Sequence, residues 1–98
     1  MNVVFTASAK ADLTAIGDYI AERDPQRAFS FIEELEAQAN SVSFMPRSYP
    51  VVGRYKNQGV RRQSYGNYLI FYRIERESIR VLRILHGAMD YEKILFKE

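Results

Sequence analysis

Ninety-eight residues with 47% apolar and 13% aromatic content describe one domain able to build a core, not a disordered chain. At this size folding buries roughly 60–65% of the surface that the unfolded chain exposes. Zero cysteines exclude a disulfide framework, a thiol nucleophile and thiolate-held zinc. There is no basic-then-apolar leader and no apolar run longer than about five residues, so a cytoplasmic location with no membrane partner is expected.

The net charge of +2 hides a division. Residues 1–45 carry three basic and seven acidic side chains, a net of −4, whereas residues 46–86 carry nine basic and two acidic, a net of +7. A basic half of this kind suits nucleic acid or an acidic protein partner, and it also suits a solvated arginine-rich face.

In chain order, Asn2–Phe5 (NVVF) is a short β-prone run. Thr6 or Ser8 is placed to cap a helix from about Ala7 or Ala9 to Glu22, with Ala9, Leu13, Ile16 and Ile20 as one apolar stripe. Asp12, Asp18 and Glu22 are expected on its wet side. Asp24 as N-cap and Pro25 as first residue open a second helix to about Val42. Its stripe is Ala28, Ile32, Leu35, Ala39 and Val42, widened by Phe31. Helices so closely joined pack as an antiparallel hairpin.

Pro46–Gln58 has two prolines and a glycine and reads as a long irregular segment, a length that is uncommon in a compact domain and often functional. Three strands follow. Val60–Tyr65 and Tyr68–Ile74 flank the hairpin signal Gly66-Asn67, and Ile79–Leu85 follows a polar reversal. Tyr68–Tyr72 is apolar at both parities, which requires a central strand covered on both faces. Gly87–Glu98 suggests a short terminal helix with Met89, Ile94, Leu95 and Phe96 as apolar contacts. The order is β-α-α-β-β-β plus a terminal segment, an α+β architecture.

Chemistry is sparse. His86 is the single histidine, so no metal site is expected, and neither a nucleophile elbow nor a glycine-rich phosphate loop is present. A packed or hydrogen-bonded role suits His86 better than a general base. Arginine and tyrosine alone can support metal-free RNA cleavage by orienting a 2′-hydroxyl and stabilising a phosphorane.

Several pieces recur together: Ala11-Asp12-Leu13 with Ile16, Ala28 with Phe31 and Leu35, Val60-Arg61, Tyr68 through Tyr72-Arg73, and His86-Gly87-Ala88-Met89-Asp90. In this order, from about Phe5 to Leu95, they resemble the ParE branch of the RelE/ParE toxins. The resemblance implies a single domain over 1–98, with a helical hairpin on a four-stranded, mainly antiparallel sheet and a short C-terminal helix. It also implies a type II toxin–antitoxin module whose toxin traps DNA gyrase by contact rather than catalysis, uses no cofactor, and is silenced by a ParD-like antitoxin. No sequence-specific DNA binding by the toxin alone is expected.

The sister RelE branch cleaves messenger RNA in the ribosome. By resemblance, two of its basic catalytic positions fall on Leu69 and Met89, both uncharged here, while Tyr91 stands loosely for its tyrosine. That departure favours a non-enzymatic toxin. The alternatives are a ribosome-dependent ribonuclease and a non-toxic antitoxin-binding relative. On the gyrase reading, the candidate target contacts are Arg54, Arg61, Arg62, Arg73 and Arg83, with Met89, Tyr91 and Phe96 in a C-terminal zone. The candidate antitoxin contacts are Tyr19, Phe29 and Tyr49, taken as exposed aromatics.

Overall fold

The computed structural model describes residues 1–53 and 58–96. Its elements are β1 (Asn2–Phe5), α1 (Ala7–Ala21), α2 (Pro25–Ser41) with a 3-10 turn over Val42–Phe44, β2 (Val60–Tyr65), β3 (Tyr68–Ile74), β4 (Ser78–His86) and α3 (Tyr91–Leu95). Both helix starts follow the capping logic of the sequence. The Thr6 hydroxyl accepts the Ala9 N–H at 3.0 Å, and Asp24 accepts the Arg27 N–H at 3.0 Å with Pro25 at the first position. Gly66 turns the β2–β3 hairpin at φ 58°, the left-handed region a glycine enters without steric penalty.

The sheet runs β1-β4-β3-β2, with β1 parallel to β4 and the other pairs antiparallel. The first strand in sequence therefore pairs with the last. One face receives the stripes of α1 and α2: Ala9, Leu13, Ile16, Leu35, Ala39 and Val42 close on Ile70, Tyr72, Ile79, Val81 and Ile84. Each fully buried aliphatic side chain here, Leu35 for example, contributes roughly 1.5–3 kcal/mol. Gly17 lets Ile32 of α2 come close, since a Cβ there would sit 3.4 Å from its side chain.

The opposite face carries a second, smaller core. Phe71, Val60 and Leu85 are covered by Val52 and Phe96, with Tyr91, Ile94 and Leu95 packed around them. That is how β3, apolar at both parities, is covered on both sides.

β4 contains a bulge. Phe71 pairs with Arg83 and Tyr72 with Val81, so Leu82 is the extra residue. Beyond it the alternation resets, which lets both Val81 and Ile84 face the helices while Leu82 and Leu85 face the second core. Arg80 and Arg83 stand three apart in an otherwise apolar run, an offset that a regular strand would place on opposite faces.

Candidate functional site

The sheet arginines sort by what their guanidinium groups touch. Arg61 lies on the helix side of β2, and its Nη1 donates to the carbonyls of Tyr49 at 2.6 Å and Arg47 at 3.2 Å. Together with Arg62 N–H to Pro50 and Val52 N–H to Val60, these bonds fasten the Pro46–Val52 segment along the outer edge of β2. Arg83 reaches α1, where its Nε and Nη2 both donate to the Asp12 carboxylate at 2.8 Å. The same carboxylate accepts the Ile84 N–H at 2.9 Å. The Arg83 pKa is raised by its hydrogen bond to Asp12, with burial acting against it. Asp12 was expected in solvent, but its side chain is only 12% exposed, so the structure corrects that placement. It sits on the flank of α1 that overhangs the bulge, where β1 has ended and the edge of β4 would otherwise be bare.

Arg62 and Arg73 remain outward. Arg62 lies on the second-core face and donates to the Tyr91 hydroxyl at 3.0 Å, while the Tyr91 ring lies 5.1 Å from that of Phe71. Arg73 stands directly opposite Arg80 in the β3–β4 ladder. Glu75 lies between them, 3.8 Å from Arg73 and 3.2 Å from Arg80. Like charges directly opposite one another oppose pairing by roughly 0.2–1 kcal/mol, which one shared carboxylate offsets in part. Arg80 was not a sequence candidate, because its neighbour is set by ladder register and a composition count carries no register. Arg54 lies outside the described residues.

The C-terminal candidates differ in exposure. Met89 is 46% exposed, Tyr91 is half-buried, and Phe96 is buried in the second core. Leu69 packs at the margin of that core opposite Leu85. Neither Leu69 nor Met89 brings a positive charge to its position.

Among the aromatic candidates, Tyr19 and Phe29 are each 71% exposed. Tyr49 is instead half-buried on the helix side, edge-on to Tyr72, with its hydroxyl accepting from Gln63. It is not an exposed aromatic, because the Arg61 bonds draw its segment onto the sheet. Tyr19 borders a cleft of about 330 Å³ between α1 and the bare end of β4, lined also by Ala15, Ile16, Tyr68, Leu85 and Met89. Since the Ile84 N–H points outward to Asp12, strand alternation turns the Ile84 C=O and His86 N–H toward the same cleft. The His86 Nδ1 accepts the Ala88 N–H at 3.1 Å, and its ring meets Tyr68 edge-on. Among the described residues no group of three or more His, Cys, Asp or Glu could hold a metal ion, and no helix is long and apolar enough to cross a membrane.

Residues 3–91 match the model of the ParE toxin of the type II toxin–antitoxin system parDE. The chain belongs to this ParE toxin family. A relative, Toxin RelE2 of Caulobacter vibrioides, is 34% identical over 87 residues, covering 88% of this chain and 94% of that one. Two solved structures share the fold. One is the chromosomal ParDE toxin–antitoxin system from P. aeruginosa, with a TM-score of 0.74 and 22% identity over 88% of this chain and 95% of the other. The other is the toxin–antitoxin complex RelBE2 from Mycobacterium tuberculosis, with a TM-score of 0.58 and 25% identity over 90% and 92%. This ParE-family chain is thus a type II toxin by family, and it is similar to proteins bearing both ParE and RelE names.

Proposed function

We propose that this toxin arrests growth by binding a type II topoisomerase, DNA gyrase, without catalysing a reaction of its own, and that a ParD-like antitoxin silences it. The observation that carries this reading is the pair Leu69 and Met89. A phosphorane intermediate needs positive charge held against it, and an apolar side chain at the core margin and a thioether supply none. Among the described residues, the outward arginines, Arg62, Arg73 and Arg80, have no adjacent histidine or carboxylate dyad to act as acid and base, and they suit electrostatic recognition. A supercoiling and cleavage assay with gyrase and purified toxin tests it. Accumulation of gyrase-linked broken DNA, reversed by the antitoxin, is the expected result, and unimpaired supercoiling by demonstrably folded toxin refutes it.

One contact favours a second reading. Arg62 donating to the Tyr91 hydroxyl joins a cation and a phenol on one face, the residue types of a metal-free ribonuclease. Ribosome-dependent cleavage of messenger RNA, lost in Tyr91→Phe while gyrase stays active, would establish that reading in place of the first.

For the antitoxin we place an extended, apolar segment in the cleft beside Tyr19. There it can add a strand against Ile84–His86 and set one side chain between Tyr19, Tyr68 and Met89. Tyr19→Asp should weaken complex formation at least tenfold in calorimetry, whereas Phe29→Ser, on the other helix, tests for a second contact.

A further inference from the structure

We propose that Arg73 and Arg80, with Arg62 beside them, form a phosphate-binding row that engages the backbone of a nucleic acid without reading its bases. Register, not sequence proximity, builds the row. Arg73 and Arg80 are cross-strand partners on the face away from the helices. Arg62 stands one strand over from Arg73 and two residues along, roughly 8 Å from it between Cα positions, and two strands from Arg80.

All three guanidinium groups retain donors. The side chains of Arg73 and Arg80 are 39% and 47% exposed, and they share the single carboxylate of Glu75. Among the described residues the Arg62 guanidinium bonds to a neutral phenol, that of Tyr91. Arg61 differs because it lies on the helix side of the sheet, bonded to loop carbonyls, and Arg83 because its fork is seated on Asp12. Arg76 and Glu77, both exposed in the β3–β4 turn, offset one another, so the excess positive charge rests on the row itself.

Two facing arginines sharing one acid leave unbalanced positive charge, and an oxyanion seated between them removes the repulsion. The seven acidic side chains of residues 1–45 lie on the helical hairpin, on the other side of the sheet, whereas Asp90 and Glu92 stand at α3 on the row's own side, so most of the acidic charge is turned away from the row. A row of three guanidinium groups meets two or three consecutive phosphates. The fixed forks of arginine suit phosphate oxygens, and no base-reading helix accompanies them.

The inference goes beyond the target reading and is testable without gyrase or ribosomes, so its failure leaves that reading standing. Binding of a fluorescein-labelled 20-base-pair duplex is followed by anisotropy between 50 and 200 mM salt. Three neutralised phosphates predict a log–log salt slope near −2.7, about a 40-fold loss of affinity over that range. Arg73→Gln/Arg80→Gln should bring the slope to about −1, and Arg80→Glu should abolish binding at 100 mM salt. Arg27→Gln, a change on the hairpin, should leave the slope unaltered. Each variant is matched to the wild type by its thermal midpoint. An unchanged slope in the double variant, no salt-dependent binding, or equal competition by poly-glutamate would overturn the proposal, the last by marking the row as an acidic-protein interface.

Discussion

Replacing Asp12 with alanine tests the junction on which the β4 edge depends. The carboxylate accepts three hydrogen bonds, two from Arg83 and one from the Ile84 N–H, and its side chain is 12% exposed against 29% for Arg83. Breaking a fully buried pair costs about 3–5 kcal/mol. Arg83 keeps enough exposure for water to recover part of its solvation, which brings the expected loss to about 2–3 kcal/mol. In a domain this size that lowers the thermal midpoint by about 10–20 °C. Urea unfolding followed by far-ultraviolet circular dichroism, extrapolated linearly to water, gives the free energy. The diagnostic measurement is the cycle with Arg83→Ala. Because the two side chains serve each other, the double variant should be more stable than the sum of the single losses implies, by at least about 1 kcal/mol. Asp12→Asn, which keeps an acceptor for Ile84 but not the charge, should fall between the wild type and Asp12→Ala. A loss below about 0.5 kcal/mol for Asp12→Ala, or strict additivity in the cycle, would refute the anchoring role.

Thr6→Ala removes both the cap of α1 and the bond from its hydroxyl to the Leu82 carbonyl at 2.9 Å, and should cost about 1–2 kcal/mol in the same urea assay, with Thr6→Ser restoring most of it. Burial pushes the Tyr72 phenol up to about 12, with Arg61 acting against it. The unfolded chain releases that proton near pH 10 while the folded chain retains it, so stability declines as pH rises from about 10 to about 12. Tyr72→Phe should flatten that decline, and near neutrality it should lose about 0.5–1.5 kcal/mol with the bond to the Pro46 carbonyl. An equally steep alkaline decline in the variant would count against the assignment. Phe96→Ala should cost about 2–4 kcal/mol and loosen the seat of α3, visible as a changed near-ultraviolet tyrosine signal, while far-ultraviolet helix content from α1 and α2 persists.

Local chemistry made much of this fold legible. The stripe of Ala9, Leu13 and Ile16, the Asp24-Pro25 start and the Gly66-Asn67 turn each act within a few residues, and each stands where the sequence put it. Tyr68–Tyr72 demanded cover on two faces, and Phe71 and Tyr72 are buried in opposite cores. What stayed hidden depends on partners far along the chain. Asp12 looked like an ordinary wet-side acid because its partners, Arg83 and Ile84, lie 71 and 72 positions away. The bulge at Leu82 altered which β4 side chains share a face, and strand order cannot be read from periodicity. The arginines follow the same pattern. A list of basic residues could not separate Arg61 and Arg83, already occupied, from Arg73 and Arg80, which register alone brings together.

The parallel pairing of β1 with β4 also governs when the domain can exist. Asn2 waits for Ser78, 76 positions later, and Thr6 for Val81 and Leu82, so the sheet lacks a central strand until β4 has been made. At about 5–20 residues per second, the interval between making the first strand and the last is about 4–15 s. Through those seconds the helical hairpin can form, but its apolar stripes have no sheet to rest on, and closing so long a loop adds an entropic delay. Until β4 is made, neither core of this domain can close, because Ile79, Val81 and Ile84 belong to one and Leu85 to the other.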